Sequence, residues 1–320
     1  MKAIRVHSFG DPQTMQLEDI QSQQPAGSQI LIEVKAIGVN PVDTYIRAGV
    51  YPALPNLPYT PGKDAAGIIA AVGPDVKHHK VGDRVYCCDS VSGSYAEQTV
   101  CDQAHVFALP DNVDFTSGAA VGVPYSTAYF GLFYRAHTMP GETVLIHGAS
   151  GSVGLAALQL AKANGIRAIG TAGSDEGLEL IKQQGAIAAL DHRVEGYLDA
   201  IEGLTCGQGV NVVLEMLANI NLQKDLDALA KFGRVVVIGN RGTIEINPRA
   251  TMGKNASIMG MAIVNATHKQ LASMHSAIHA GLASGTLNPV ISTELPLSKA
   301  AESHERVMQP GAKGKILLLP

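Results

Sequence analysis

Two textures of hydrophobic and polar positions divide the 320-residue chain. Up to about residue 122, short apolar runs are broken by Gly, Pro and Asp, the pattern of a β-dominated fold. Residues 2–6, 29–36, 66–72 and 84–88 read as strands; residues 30–36 (ILIEVKA) end in alternation, and residues 67–73 (GIIAAVG) are an apolar run closed by glycines. Residues 38–49 are polar enough for a loop or short helix, and residues 52–61, with four prolines, run extended. From residue 116 the texture becomes Ala/Gly-rich amphipathic helix, closed by Pro140-Gly141. Beyond it, β-type runs at 143–146, 167–171, 211–216 and 234–239 are separated by helical stretches that include 176–184 and 222–232. That alternation predicts a parallel, doubly wound α/β sheet. Residues 257–263 are a further strand candidate, 267–283 a long helix, and 313–319 a buried strand expected to return to the first domain's sheet.

The pattern centres on residues 143–161 (TVLIHGASGSVGLAALQLA): an apolar run, a turn with glycines at 148, 151 and 154, and an Ala/Leu-rich helix. These are the parts of a dinucleotide-binding βαβ unit, although the spacing is G-x-x-G-x-x-G. Gly148 is read as the sharp turn, Gly151 as the site of backbone approach to a pyrophosphate, and Gly154 as close helix–strand packing. Free N–H groups at the helix start face the anion. The alternative for the glycines alone is an ordinary tight strand-to-helix turn.

Composition narrows the classes. With 46% hydrophobic and 16% charged residues the chain is globular, and its length implies two domains. A net charge of −4 gives no electrostatic reason for nucleic acid or an anionic membrane as the main partner. Cys87, Cys88, Cys101 and Cys206 show no zinc-ligand spacing and read as buried free thiols, usage that suits a reducing compartment. No signal-peptide core or membrane-length apolar run is present, so a cytoplasmic protein is expected.

Residues 38–49 (GVNPVDTYIRAG), 59–67 (YTPGKDAAG), 147–157 (HGASGSVGLAA), 215–222 (EMLANINL) and 239–249 (GNRGTIEINPR) give the chain a specific resemblance. It resembles the zeta-crystallin-like, zinc-free quinone oxidoreductases of the medium-chain dehydrogenase/reductase superfamily. The likeness spans essentially the whole chain. It implies a Rossmann-type doubly wound parallel sheet plus a β-rich GroES-like catalytic domain, divided as 1–122 with 265–320 and 123–264. It also implies NADPH-dependent reduction of quinones and a homo-oligomer, dimer or tetramer. Zinc relatives carry Cys in the loop matching residues 38–43 and a His-Glu pair in the one matching 61–67. Here Asn40 and Lys63-Asp64 stand there, which leaves no soft ligand and no metal expected. An acceptor able to stabilise its own negative charge, a quinone or an enone, remains feasible. The alternatives are reduction of α,β-unsaturated carbonyls, or a structural or AU-rich RNA-binding role.

The end of the second strand of the nucleotide unit, Gly170-Thr171-Ala172-Gly173-Ser174, lacks the carboxylate that would hold a ribose 2′-hydroxyl, which favours NADP(H). Relatives place a lysine where this chain has Gly177; nearby Asp175 and Glu176 oppose a phosphate, and Arg193 or Lys182 are the cations in reach. By resemblance, Ser150, Gly151, Ser152 and Val153 take the pyrophosphate, and Gly173 and His192 the adenosine side. Asn221, Ile238, Gly239, Asn240 and Arg241 take the ribose and nicotinamide side, with Met261, Ala262 and Ile263 near the carboxamide. The alternative for His192 is a surface-loop histidine. Asn40, Tyr45 and Tyr51 match the acceptor side, Tyr45 also touching the cofactor, and their hydrogen bonds would stabilise a quinone oxygen as it gains charge. For each tyrosine the alternative is packing with the hydroxyl in water. Tyr95 lies in sequence away from both loops.

Overall fold

The computed structural model describes all residues, 1–320, and divides into two compact units. The first comprises residues 1–124, 268–310 and 314–320; the second comprises 125–267 and 311–313.

In the first unit, Gln29–Gly38 is the central strand. All but three of its residues are buried or nearly so, which is why it reads as an apolar run rather than a clean alternation. It pairs antiparallel with Asp64–Val72, with Gln98–Asp102 and with the C-terminal strand Lys315–Leu319. The sheet extends through Arg84–Cys87 to Val106–Ala108 on one side and to Ile291–Pro296 on the other. Lys2–Val6 and Met15–Asp19 form a separate hairpin. Ile4, Ile30, Ile32, Ile37, Ile69, Val85 and Leu318 share one core. The C-terminal strand thus joins the first unit's sheet, as its apolar texture predicts.

The second unit is a six-stranded, all-parallel sheet. Its order is Ala188–Asp191, Arg167–Ala172, Thr143–Ile146, Val210–Glu215, Leu229–Val237, Ser257–Gly260. The order reverses direction beside Thr143–Ile146, the switch point at which such sheets bind ligands.

Three expectations change. The helix anticipated over 222–232 spans Ala218–Ala228, and Leu229 begins the next strand. Phe232 there adopts φ 62° with its N–H bonded to the Lys254 carbonyl, an irregularity that no periodicity announces. Cys206 is exposed, whereas Cys87, Cys88 and Cys101 are buried. Residues 311–313 belong with the second unit, where Lys313 Nζ lies 3.3 Å from Glu176. No helix is long and apolar enough to cross a membrane.

Candidate active site

The three glycines of the central turn are glycine for three different reasons. Gly148 has φ +56°, which only glycine adopts without strain. A Cβ on Gly154 would lie 2.5 Å from the Ala149 backbone, so this residue lets the helix Ser152–Ala163 pack against the turn. Gly151 has neither constraint. Its φ is −75°, and a Cβ would meet nothing nearer than the Gly148 carbonyl at 3.4 Å and Ala312 at 4.0 Å. No side chain caps the helix that follows it, so its first-turn N–H groups lack the usual acceptor. Ser150 is buried at this turn, while Ser152 and Val153 are half-buried.

At the end of the second strand the Gly173 backbone lies against the His192 ring: a Cβ at 173 would sit 2.5 Å from Nε2. Burial lowers the His192 pKa. Ser174 caps the helix Asp175–Gln183 through the Gly177 N–H. Both acidic residues of that first turn face cations: Arg193 lies 3.6 Å from Asp175 while gripping Asp191, and Lys313 reaches Glu176. Lys313 is a cation that reading along the sequence does not place here, because it arrives from 137 residues away.

Across the sheet, the Ile238 and Gly239 N–H groups both donate to the Glu215 carbonyl, and Ala218 N–H donates to Gly239. Asn221 Nδ2 donates to Glu215 Oε1 at 3.3 Å. Asn240 and Arg241 are exposed; the Arg241 N–H is held by Asn219. Met261 follows the edge strand and donates from its N–H to Val237; Ala262 is exposed and Ile263 opens a 3-10 turn. A π-helical turn, Phe130–Arg135, was not foreseen. It brings Gly131 within 3.5–3.7 Å of Ile238 and Met261, measured from where its Cβ would stand, and such turns cluster at functional sites.

In the first unit the helix Pro41–Arg47 starts at Asn40 and carries Asp43 and Tyr45. Asn40 is only 2% exposed. Its Nδ2 donates to Asp64 Oδ2 at 2.9 Å, and its Oδ1 accepts from Lys315 Nζ at 2.6 Å. Lys315 Nζ also lies 3.0 Å from Asp64 Oδ2, and Asp64 Oδ1 accepts from the Val123 N–H. A buried ammonium therefore binds together the two stretches that carry metal ligands in the zinc relatives. Gly38 makes room for it: a Cβ there would lie 2.7 Å from Lys315 Cε and 2.2 Å from the Ala119 carbonyl. Lys63 instead pairs with Asp89; burial pulls its ammonium down, but the carboxylate outweighs this and the net shift is upward.

Asp43 accepts from the Asn40 N–H at 2.9 Å and from the Tyr95 hydroxyl at 3.3 Å. Burial pushes its carboxyl up to about 7. Tyr95, remote in sequence, is thus bonded to the helix that bears Tyr45, and it also contacts His304 Nε2 at 3.0 Å. Tyr45 and Tyr51 are half-buried, whereas the Asn40 amide is already committed inside the protein.

The parallel sheet with its glycine turn and the separate, largely antiparallel unit define a medium-chain dehydrogenase/reductase. Residues 26–111 match the alcohol dehydrogenase GroES-like domain family, and residues 152–279 match the zinc-binding dehydrogenase family. The quinone oxidoreductase of Homo sapiens is 48% identical over 321 residues, covering 100% of this chain and 98% of that protein. Quinone oxidoreductase 1 of Escherichia coli (strain K12) is 32% identical over 332 residues, covering 99% of each. Among solved structures, Escherichia coli quinone oxidoreductase complexed with NADPH superposes with a TM-score of 0.90 at 31% identity, both chains covered completely. A mycobacterial protein complexed with NADPH gives 0.93 at 28%, again over both whole chains. The chain belongs to the quinone oxidoreductase family.

Proposed function

We propose that this chain reduces quinones with NADPH, without a metal. The observation that carries the reading is Gly151, a glycine that neither its own φ nor its neighbours require. What requires it is something outside the chain: an anionic group brought against an uncapped helix N-terminus. The residues present fit a pyrophosphate there, set against the Cβ-free Gly151, whose own N–H is taken by the Gly148 carbonyl, and bound by the N–H groups of Ser152 and Val153 with Ser150 beside them. Gly173 and His192 take the adenosine side, and Asn221 with residues 238–241 and 261–263 the nicotinamide side. The absence of a carboxylate at Gly173-Ser174, and the pairing of Asp175 and Glu176 with Arg193 and Lys313, support a 2′-phosphate at that end.

NADPH supplies a hydride when bound. Tyr45 and Tyr51 donate to the acceptor oxygen as it gains charge, which lowers the barrier with no covalent step. Asn40 acts one layer behind them: held by Lys315 and Asp64, it fixes the start of the helix that bears Tyr45. The Lys315 ammonium is consumed by Asp64 and Asn40 and is not free to stabilise charge on the acceptor, which must carry its own electron sink, as a quinone does. In the second unit Ser257–Gly260 is the last strand of its sheet, and we assign that edge to pairing with another copy of the chain. A cytoplasmic setting is in keeping with the free cysteines.

The test is cofactor affinity in Gly151→Val. The backbone conformation and the contacts a Cβ would make at Gly151 accept an L side chain, so the protein should fold. NADPH affinity should fall by about 2–3 kcal/mol or more, the loss expected when hydrogen bonds to a charged group are displaced. A folded variant with near-normal affinity places the cofactor elsewhere. Turnover of ortho-quinones against 2-alkenals with NADPH, and of NADPH against NADH, then fixes acceptor and donor.

A further inference from the structure

The second unit buries a group of titratable residues that hydride transfer does not use. His147, Glu215 and Asp225 are 3%, 0% and 0% exposed. His147 Nε2 lies 2.8 Å from Asp225 Oδ1 and 3.5 Å from Glu215 Oε2, the two carboxyls approach within 4.8 Å of each other, and Glu215 Oε2 and Asp225 Oδ2 have no other hydrogen-bond partner. The remaining titratable neighbours are Tyr197, whose ring stands edge-on to His147, together with Lys224 and His192. No arginine or lysine forms an ion pair with either carboxyl.

Two buried carboxyls and an imidazole without a paired cation must be neutralised by protons or by a metal ion. The 2.8 Å separation is a direct hydrogen bond. Around a tetrahedral zinc with bonds of about 2.0 Å, ligand atoms would stand roughly 3.3 Å apart, so the geometry favours protons. Burial in the first place pushes both carboxyls up, each to about 7. It also lowers the His147 pKa, so the proton belongs to the carboxyl pair.

This cluster is joined to both segments assigned to the cofactor. His147 immediately precedes Gly148, the first residue of the glycine turn. Glu215 Oε1 accepts from the Leu217 N–H and from Asn221, and its carbonyl accepts from Ile238 and Gly239. We propose that Glu215 and Asp225 are positioning residues that share a proton, and that NADP(H) binding is thermodynamically coupled to uptake of that proton. With the proton bound the pair holds one negative charge, and without it two, beneath a turn that takes an anionic pyrophosphate. Deprotonation therefore repels the cofactor, and by reciprocity the bound cofactor raises the proton affinity of the pair. The inference rests on the cofactor lying at the glycine turn, which Gly151→Val tests separately.

The experiment is isothermal titration of NADP⁺ into the full-length protein at pH 6, 7 and 8. It uses two buffers of different ionisation enthalpy and compares wild type with Asp225→Asn and Glu215→Gln. Both substitutions keep side-chain shape and remove one titrating group. The 2′-phosphate's own protonation is common to all three proteins and cancels in the comparison. Wild type should take up protons on binding, most strongly near pH 7. Its Kd should rise between pH 6 and pH 8 by about threefold or more beyond the rise seen in either variant. Four results overturn the proposal: no proton uptake by wild type, equal uptake in wild type and a folded variant, parallel pH profiles, or one tightly held divalent metal per chain that the substitutions remove.

Discussion

Replacing Lys315 with methionine keeps the aliphatic stem and removes the ammonium. In the wild type that ammonium, on a residue 2% exposed, faces Asn40 Oδ1 at 2.6 Å and an Asp64 carboxylate that is fully buried. Lys315→Met leaves Asp64 with two donors, the Asn40 amide and the Val123 N–H, but with no counter-charge, and it orphans the Asn40 oxygen. Removing one partner of a buried pair costs about 3–5 kcal/mol. For a unit of this size each kcal/mol is worth about 2–4 °C, so the first unit's melting transition should fall by roughly 6–20 °C. The companion variant is Lys315→Met with Asp64→Asn, in which no charge is left buried. It should recover part of the loss, with a coupling of about 1–3 kcal/mol between the positions. Differential scanning calorimetry of the wild type, the two single variants and the double variant reads this directly. A Lys315→Met protein within about 1 kcal/mol of wild type, or strict additivity in the cycle, would refute the claim that this ammonium is the counter-charge holding the region together.

Tyr45→Phe should lower kcat/KM on quinones about tenfold or more while changing NADPH affinity little; wild-type kinetics on several quinones would reduce Tyr45 to a wall of the pocket. Asp43 titrates near 7 folded against a reference of 3.8, so its contribution to stability is fully present below the lower value and is lost as pH rises through the folded one. Relative to Asp43→Asn, wild type should therefore lose about 1 kcal/mol or more between pH 5 and pH 7.5 in urea unfolding, and a pH-independent difference would contradict the reading. Elemental analysis should find no stoichiometric zinc and chelators should leave turnover unchanged; one bound zinc per chain would overturn the account of Asn40 and Lys63-Asp64.

What the sequence discloses follows the range of the interaction. The strands Thr143–Ile146 and Val210–Glu215 carry the unbroken apolar runs 144–146 and 212–214 because both faces of a parallel sheet are covered. Ala188–Asp191 is half-buried throughout and only four residues long, so its pattern is too weak to register. Ile291–Pro296 alternates but ends in proline, which weakens a strand reading for an edge position where proline is tolerated. Residues 229–232 continue the composition of the helix before them, and only pairing with Val210 draws them into a strand. In the glycine turn the duties of Gly148 and Gly154 are readable because they are local, a positive φ and a close backbone approach. The Lys315 and Tyr95 contacts join positions 275 and 52 residues apart, so nothing near Asn40 or Asp43 announces them.

The return of Lys315–Leu319 to the first unit has a consequence for biosynthesis. That strand lies between Gln29–Gly38 and Ile291–Pro296, and it delivers the ammonium that Asn40 and Asp64 require. All but three residues of the second unit leave the ribosome earlier, as one continuous stretch, 125–267. The second unit can therefore fold during translation, whereas the first, begun earlier, must wait with the end of its central strand, at Ile37 and Gly38, unpaired on one side. A ribosome paused before residue 315 would carry one folded unit and one open sheet edge, the state in which this chain most needs a chaperone.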